Sequence, residues 1–414
     1  MNDPYHVYMD LDVVNNDYTS QSKPQLRFEE TRNTPFLPGD SADYFCSIVR
    51  FNIQTGNTLP VFIPRIETGQ SDVNKTIYKV TVRDAITIAG SDTLMYFTGT
   101  ASIMYEPEDL TAPVPASPAN GQDLSSNYYY VYNYQHFINL VNKALASAFN
   151  QCKNAISLHS GNQKDFWTTL GRAVVPYFAF DVGTNRVTLH ADEKLFDMSE
   201  SHLFGSVAEG AFIDPMQIFM NDRLYELFAG LPCRFTSSSG DLNYRINVID
   251  RYFNKVKQNQ PYLLPGQFSP QFQERSVILL DQEMTSIALW NPVASIVFAS
   301  SLLPIVPTQT SVPRDIGSKS YSLVSGGNNS NLLPVLSDFS IAVDGSNQYR
   351  PMVEYNPGSE YRLIDMNSTT NLNRIDIIVY WKDRSGGLHP FQLQPGCTAS
   401  VKIMFRRKDF NVFQ

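Results

Sequence analysis

The sequence has few charged residues for its length. Asp, Glu, Lys and Arg together make up 17% of the 414 residues, the net charge is −8, and hydrophobic residues make up 43%. This composition argues against a disordered chain, which would be less hydrophobic and more charged. The negative balance argues against a protein that coats nucleic acid, because phosphate neutralisation needs an excess of Lys and Arg. A protein that buries much of its surface against other protein chains needs few surface charges, which is one explanation of this composition.

Cysteine is rare and scattered. The four cysteines, Cys46, Cys152, Cys233 and Cys397, show no C-x-x-C spacing. Zinc sites and disulfide frameworks are recognised by closely and regularly spaced cysteines, which this sequence lacks. We therefore expect buried thiols, and a protein that assembles in a reducing compartment.

A long uninterrupted apolar run is also missing. The longest apolar stretch, ALWNPVASIVFASSLLPIVP at 288–307, is broken by Asn291, Pro292 and Pro304. A transmembrane helix needs about 20 predominantly apolar residues. We interpret this stretch as a core strand and expect no membrane span. Residues 1–17 also lack the basic and then apolar pattern of a signal peptide.

The common motifs of catalysis and cofactor binding are absent. There is no G-x-x-x-x-G-K-[ST], no G-x-G-x-x-G after a strand, no H-E-x-x-H and no G-x-S-x-G. The nearest approach to a metal constellation is His190, Asp192 and Glu193 with His202 downstream. Their spacing fits no metal motif, and surface residues are the simpler interpretation. We predict no catalytic, cofactor-binding or metal-binding residues, and therefore no enzyme.

Glutamate and tryptophan residues leave two alternative functions possible, a hydrolase and a sugar-binding protein. A glycosidase needs two carboxylates about 5–10 Å apart, and the sequence alone cannot place any two glutamates at that distance; the candidates are Glu226, Glu283, Glu354 and Glu360. Trp167, Trp290 and Trp381 could each serve as a sugar platform. Trp290 and Trp381 lie in apolar runs, which favours core packing for both.

The strongest positive signal is the alternation of apolar residues near the C-terminus. Apolar residues recur at every second position in 375–381, 391–393 and 401–405, and glycine- or proline-containing turns separate these runs. The pattern predicts three consecutive antiparallel strands with one buried face. Such a meander needs a second sheet to cover its apolar face. Similar strand patterns occur from residue 42 onward, so we predict an antiparallel β-sandwich.

The period changes from 2 to 3.6 in the middle of the chain. Residues 134–150 carry apolar side chains at the i, i+3, i+4, i+7 spacing of an amphipathic helix. A shorter helix is predicted after Asn221, which can cap its start, and before Gly230, which can end it. A hairpin with a turn at 183–185 is predicted between the two helices. This middle part is a mixed α/β insertion in a mainly β chain.

Several of these stretches resemble the jelly-roll capsid proteins of double-stranded DNA viruses. The resemblance is to the penton-type (vertex) proteins of the adenovirus, Polinton and virophage lineage. It is carried by TPFLPGDSADYFCSIVRFNI, by WNPVASIVFASSLLPIVP, and by YRLIDM followed by RIDIIVYWKDRSGGLHPFQL and VKIMFRRKDF, which spread over most of the chain. In that family one jelly roll contains both ends of the chain, a long insertion forms an outward lobe, and five copies close a ring.

The resemblance implies a division of the chain. Residues 1–41 would form an N-terminal arm, either ordered on a neighbouring copy or frayed. Residues 42–105 and 274–414 would form the jelly-roll β-sandwich, and residues 106–273 an insertion domain containing the helix at 134–150. The C-terminal strands would close the sandwich.

The resemblance also implies a function. It indicates a structural protein of the virion capsid that self-assembles, with a homopentamer favoured and a trimer possible, and that contacts the major capsid protein. Three alternatives stay open: a major capsid protein built as a jelly-roll trimer, a glycan-binding attachment protein, and a sandwich-fold hydrolase.

Overall fold

The computed structural model describes residues 5–18, 23–56, 58–87, 94–117, 122–124, 126–159, 175–196, 216–238, 240–248, 254–262, 271–309, 332–341, 352–356 and 362–409. The helices are α1 (Tyr134–His159), α2 (Asp222–Leu227) and α3 (Ile287–Trp290), with 3-10 turns at Ser41–Asp43, Asn127–Tyr129 and Glu193–Leu195. Within these ranges no helix is long and apolar enough to cross a membrane.

Strands make up most of the regular structure. The strands before residue 250 are β1 (His6–Val14), β2 (Arg27–Thr31), β3 (Tyr44–Gln54), β4 (Lys75–Thr87), β5 (Leu94–Met104), β6 (Tyr177–Asp181), β7 (Arg186–Asp192), β8 (Gln217–Met220), β9 (Cys233–Phe235) and β10 (Tyr244–Ile246). The later strands are β11 (Asn254–Tyr262), β12 (Gln271–Asp281), β13 (Val293–Ala299), β14 (Thr308–Gln309), β15 (Leu332–Leu333), β16 (Val335–Ser340), β17 (Met352–Tyr355), β18 (Ile364–Asp365), β19 (Arg374–Asp383), β20 (Leu388–Pro390) and β21 (Thr398–Arg407).

Two antiparallel sheets form a β-sandwich. One has the order β1-β21-β3-β17, with β18 also paired to β3, and the other has the order β16-β13-β19-β2, with β20 also paired to β19. Their inner faces meet in one apolar core, where the rings of Phe51 on β3 and Phe298 on β13 lie 4.9 Å apart. The alternation of buried and exposed residues along these strands produces this two-layer packing. We call this unit the sandwich.

Two of the three predicted C-terminal strands are confirmed, at 374–383 and 398–407, but the predicted meander is wrong. β19 and β20 form a hairpin in one sheet, whereas β21 crosses to the other sheet and lies between β1 and β3. The turn glycines Gly386 and Gly396 have φ values of 87° and 79°, as the turn prediction required. The alternation identified β19 and β21 correctly, but residues 391–393 follow β20 and form only an isolated bridge between Gln392 and Gln25. The alternation also could not identify the partner of β21.

Two strands of the segment predicted as an N-terminal arm, residues 1–41, pair within the sandwich. β1 pairs with β21 along nine residues, from His6 opposite Arg406 to Val14 opposite Thr398. β2 pairs with β19 at the edge of the other sheet. Met9, Leu11 and Phe28 point into the sandwich core, so burial of these apolar side chains holds both strands in the fold.

Most of the remaining elements form a second lobe, whereas β14 and β15 pair only with each other. Its sheets have the orders β5-β4-β8-β10-β9 and β11-β12-β7-β6. Its core unites side chains from both sheets and from the helices, including Val80, Phe137 and Leu189. β6 and β7 are joined through Asn185, which has a φ of 55°, in the hairpin that the sequence predicted.

The strand pairing places two segments in a different unit from the one that the resemblance implies for them. β4 and β5 lie within 42–105, and β4 pairs with β5 and with β8 of the second lobe. β12, most of which lies within 274–414, pairs with β7 and β11. Both contribute to the second-lobe core instead of the sandwich core. We propose that the second lobe runs from about residue 61 to residue 290 and that the sandwich comprises the two flanking segments.

The two longer helices follow their sequence signals. α1 starts at the predicted residue, and Asn133 Oδ1 accepts a hydrogen bond of 2.8 Å from the His136 N–H, which caps the first turn. It continues to His159, beyond the predicted residue 150, because Cys152 and Ile156 extend the buried stripe. α2 begins after Asn221, whose Oδ1 accepts from the Leu224 N–H at 3.1 Å, as predicted.

Candidate assembly surfaces

The weak metal constellation does not come together in the part of the chain that the structure describes. His190 on β7 stacks on Tyr177 with ring centroids 4.7 Å apart, and Asp192 is buried. His202 lies outside the described residues. No three His, Cys, Asp or Glu side chains within the described ranges are placed to hold a metal ion.

The candidate carboxylates and tryptophans separate into surface and core. Glu226, Glu283 and Glu354 are exposed, and Glu226 pairs with Arg223 at 3.1 Å. Glu360 and Trp167 lie outside the described residues. Trp290 and Trp381 are only 2% and 1% exposed, which confirms core packing for both.

The cysteines have the character of inert thiols. All four are unpaired; Cys46 and Cys152 are buried, and Cys233 and Cys397 are half-buried. Burial raises the pKa of the Cys46, Cys152 and Cys233 thiols to about 12 and also raises the pKa of Cys397. Because the thiolate is the reactive form, all four should react slowly at neutral pH.

Thiol labelling tests this description. In the folded protein at pH 8, we expect iodoacetamide to modify Cys46 and Cys152 at least tenfold more slowly than in the same protein unfolded in urea. Peptide mass spectrometry after timed quenching measures both rates. Rapid labelling of either residue in the folded protein would contradict the buried, protonated state.

A buried cluster of aromatic and polar groups joins the lobes. Tyr130, which precedes α1, packs edge-on against Trp381 of β19 with centroids 5.6 Å apart. Trp381 stacks on His389 at 4.1 Å. His389 Nε2 lies 2.8 Å from the Asp383 carboxylate, and its Nδ1 lies 3.5 Å from the Tyr130 hydroxyl. We call Tyr130, Trp381, Asp383 and His389 the interlobe joint, because it connects the second lobe to the sandwich.

Two substitutions of Tyr130 test the packing of the interlobe joint in two steps. Tyr130→Phe removes two long hydrogen bonds of the hydroxyl, to the Leu124 carbonyl at 3.4 Å and with His389 Nδ1 at 3.5 Å, and keeps the ring. We therefore expect a loss of about 1–2 kcal/mol in the free energy of unfolding. Tyr130→Leu also removes the aromatic pair with Trp381, which adds about 0.5–1.5 kcal/mol. Urea unfolding of the three proteins measures both steps. Equal stability of Tyr130→Leu and the wild type would show that Tyr130 does not hold the lobes together.

The outer face of the N-terminal strand carries an exposed aromatic and charged surface. Tyr8 is 55% exposed, and the Lys402 Nζ lies 5.7 Å from its ring centroid. Asp10 lies between Arg50 and Lys402, at 3.4 and 3.2 Å. Asp12 is exposed on the same face, two residues further along β1. Aromatic residues such as Tyr, and also Arg, are enriched at protein interfaces.

A second exposed aromatic surface lies on the second lobe. Tyr225 of α2 stacks on Tyr244 of β10 with centroids 3.9 Å apart, and Phe235 of β9 packs against Tyr244 at 5.4 Å. Phe235 is 56% exposed. Sequence reasoning missed this cluster because its three rings come from separate elements. No local pattern shows that they meet.

Comparison with known proteins gives these surfaces a context. A family model described as Sputnik minor capsid protein V18/19 matches residues 7–407. The chain belongs to this family. Membership extends over both the sandwich and the second lobe, and it makes the chain a virion structural protein of the minor capsid class.

Two curated proteins of Sputnik virophage are similar to parts of this family member. Structural protein V19 is 22% identical over 240 residues, which cover 57% of this chain and 96% of that protein. The uncharacterised protein V18 is 31% identical over 159 residues, which cover 36% of this chain and 85% of that protein.

Solved structures extend the similarity to the whole fold. A chain in the cryo-EM structure of the Sputnik virophage superposes with a TM-score of 0.71 and 24% identity, covering 98% of this chain and 99% of that one. The mavirus penton protein superposes with a TM-score of 0.56 and 14% identity over 97% and 99% of the two chains. These matches confirm the jelly-roll fold and the resemblance to penton-type capsid proteins.

Proposed function

We propose that this chain is a penton-type vertex protein, five copies of which close a ring in the capsid and contact the major capsid protein. The observation that carries the proposal is the match of residues 7–407 to a family of minor capsid proteins. A minor component occupies special positions in a shell, and a vertex is such a position. The same membership favours a vertex protein over the major capsid protein alternative.

The structure supports the proposal in two ways. The likeness to the mavirus penton protein includes the second lobe as well as the sandwich, as expected of an insertion that faces outward. The surface also offers exposed aromatic groups such as Tyr8 and Phe235, which suit large contacts between copies. A ring needs heterologous contacts, in which one patch meets a different patch of the next copy.

The proposal includes a non-enzymatic role without a cofactor. The work of the protein would be assembly, and its location the virion. The four unpaired cysteines suit assembly in a reducing compartment, since none is needed as a disulfide.

Negative-stain electron microscopy of the purified protein tests the proposal. We expect class averages with five-fold symmetry, and co-sedimentation of these rings with shells of the cognate major capsid protein. Class averages with three-fold symmetry would instead support the alternative, a major capsid protein that forms trimers. Rings that do not bind the shell would contradict the vertex position while leaving the ring intact.

A further inference from the structure

The outer edge of β1 is a nine-residue open strand edge. β1 pairs with β21 on one side, and within the described residues no strand pairs with it on the other. The Tyr5 carbonyl accepts from the Arg407 N–H, and the Asn15 N–H donates to the Cys397 carbonyl. The backbone N–H and C=O groups of the odd-numbered residues therefore point toward β21. Because these groups alternate along a strand, those of Tyr8, Asp10 and Asp12 point toward the open side. Natural proteins rarely leave such an edge unprotected.

A second strand edge is open in the second lobe. β11 pairs along its whole length with β12, but β7 pairs only with residues Val277 to Asp281 of β12. Residues 257–262 and 271–276 therefore form a two-stranded ribbon beyond the four-stranded sheet. An isolated two-stranded ribbon is marginally stable in water, so this one gains stability from a third strand.

Pro261 indicates which backbone groups of β11 face outward. Proline has no N–H to donate, so within a sheet it occupies positions whose nitrogen faces away from the partner strand. Pro261 lies opposite Phe272 of β12. The odd-numbered positions 255, 257 and 259 then face the open edge, and Pro261 ends the stretch that can accept a new strand.

Charge makes the two open edges complementary. Asp10 of β1 is paired with Arg50 and Lys402 of its own copy, whereas Asp12 is exposed and has no ion pair among the described residues. β11 carries Lys255 and Lys257 two positions apart. Each strand is nine residues long. Pairing β1 with β11 brings opposite charges together.

We propose that the open edge of β1 in one copy pairs with the open edge of β11 in the next copy. The proposal rests on the ring proposed above and names a contact that closes it. The contact is heterologous, because the two strands belong to different sheets, so it propagates from copy to copy as a ring requires. Backbone hydrogen bonds hold the strands, and the alternate charges select the register.

Cysteine pairs test the contact directly. We pair Asp12→Cys in turn with Lys255→Cys, Lys257→Cys and Asn259→Cys, so that one pair matches the register. Asp12→Cys with Val182→Cys is the control, because Val182 is 79% exposed on the β6–β7 turn. After oxidation, denaturing electrophoresis should show covalent species up to five copies for a β11 pair, at least tenfold above the control.

Proline substitutions on β1 give an independent test. Asp12→Pro removes an N–H on the open side, whereas Val13→Pro removes one that faces β21. We expect Asp12→Pro to fold and to raise the apparent dissociation constant of the oligomer at least tenfold. Val13→Pro should lose folded stability. Unchanged assembly of a folded Asp12→Pro protein would overturn the edge pairing.

The results of these experiments distinguish a failure of the β1–β11 contact from a failure of the proposed function. A pentameric mass for the cysteine variants with cross-linking only at the control level would overturn the β1–β11 contact and leave the vertex function standing. A wild-type protein that stays monomeric at high concentration would overturn both. Cross-linked ladders that stop at the dimer would also overturn the contact, because a contact of this kind propagates around the ring.

Discussion

Replacing Asp376 with alanine is expected to destabilise the sandwich by about 3–5 kcal/mol, because it leaves several hydrogen-bond donors without an acceptor, and each buried donor left unsatisfied costs about 1–3 kcal/mol. The Asp376 side chain on β19 is fully buried. It accepts hydrogen bonds from the Ser300 and Ser301 hydroxyls at 2.7 and 2.6 Å and from the Leu302 N–H at 2.8 Å. Arg27 of β2 pairs with it at 3.1 Å. One carboxylate therefore fixes the turn after β13 to two strands of the same sheet.

A matched aspartate in the same sheet provides the control. Asp338 on β16 pairs with Arg362 at 2.9 Å, but both side chains are more than half exposed. Asp338→Ala should cost less than about 1 kcal/mol, as exposed ion pairs do. Urea unfolding of both variants measures the difference. Similar losses for the two variants would contradict the special role of the buried carboxylate.

The same site predicts an acid dependence. Burial alone raises the pKa of Asp376, but the hydrogen bonds from Ser301, Ser300 and Leu302 outweigh burial and hold this pKa below its usual value. A lowered folded-state pKa contributes stability above the usual value of about 3.9 and loses it as the pH falls through the folded-state pKa. Asp376→Asn should lack this contribution, so its difference from the wild type should shrink below about pH 4. A difference that grows on acidification would contradict the assignment.

Substitution of Gly99 is the second change with a large expected effect. A Cβ atom at Gly99 on β5 would lie 2.0 Å from the Ala148 carbonyl oxygen and 2.7 Å from the Cys152 nitrogen, which are backbone atoms of α1. Backbone cannot move aside as a flexible side chain can, so α1 must separate from the sheet. We expect Gly99→Ala to cost about 3 kcal/mol, at the upper end for overpacking, and Gly99→Val to prevent native packing of the second lobe.

Gly56 provides the matched control for this prediction. A Cβ atom there meets only the Cys397 Sγ within 4 Å, at an ordinary 3.6 Å. Gly56→Ala should therefore change the free energy of unfolding by less than about 1 kcal/mol. Thermal unfolding followed by near-ultraviolet circular dichroism compares the proteins. A Gly99→Ala protein as stable as Gly56→Ala would contradict the close helix–strand contact.

Local patterns predicted the elements well because their causes are local. Alternating apolar residues identified β3, β19 and β21, and the 3.6-residue period identified α1. The predicted N-cap of α2 at Asn221 is confirmed by its hydrogen bond to the Leu224 N–H. Each of these signals depends on residues within a few positions of one another.

The partners of the strands were beyond sequence reasoning because they depend on distant contacts. β1 looked like a polar arm, since its outer face shows Tyr8, Asp10 and Asp12, and only the pairing with β21 reveals Met9 and Leu11 as core. β4 and β5 alternate like sandwich strands, yet Gly99 lets α1 lie directly on them. Alternation fixes which face of a strand is buried, but it does not fix which sheet buries it.

The candidate assembly surfaces were also beyond sequence reasoning, because they depend on contacts between residues that are distant in sequence. The low charge predicted contacts with other chains, but the cluster of Tyr225, Phe235 and Tyr244 forms only when three elements meet. The open edge of β1 likewise depends on strand order, which no local window contains. Composition thus indicated contacts with other chains, the resemblance indicated the function, and the strand order is the basis of the proposed contact.

Native mass spectrometry of the purified chain tests the central claim most directly. The account predicts one dominant species of five times 46.7 kDa, about 234 kDa, that persists on dilution to low micromolar concentration. A monomer at every concentration, or a trimer in place of the pentamer, would contradict it.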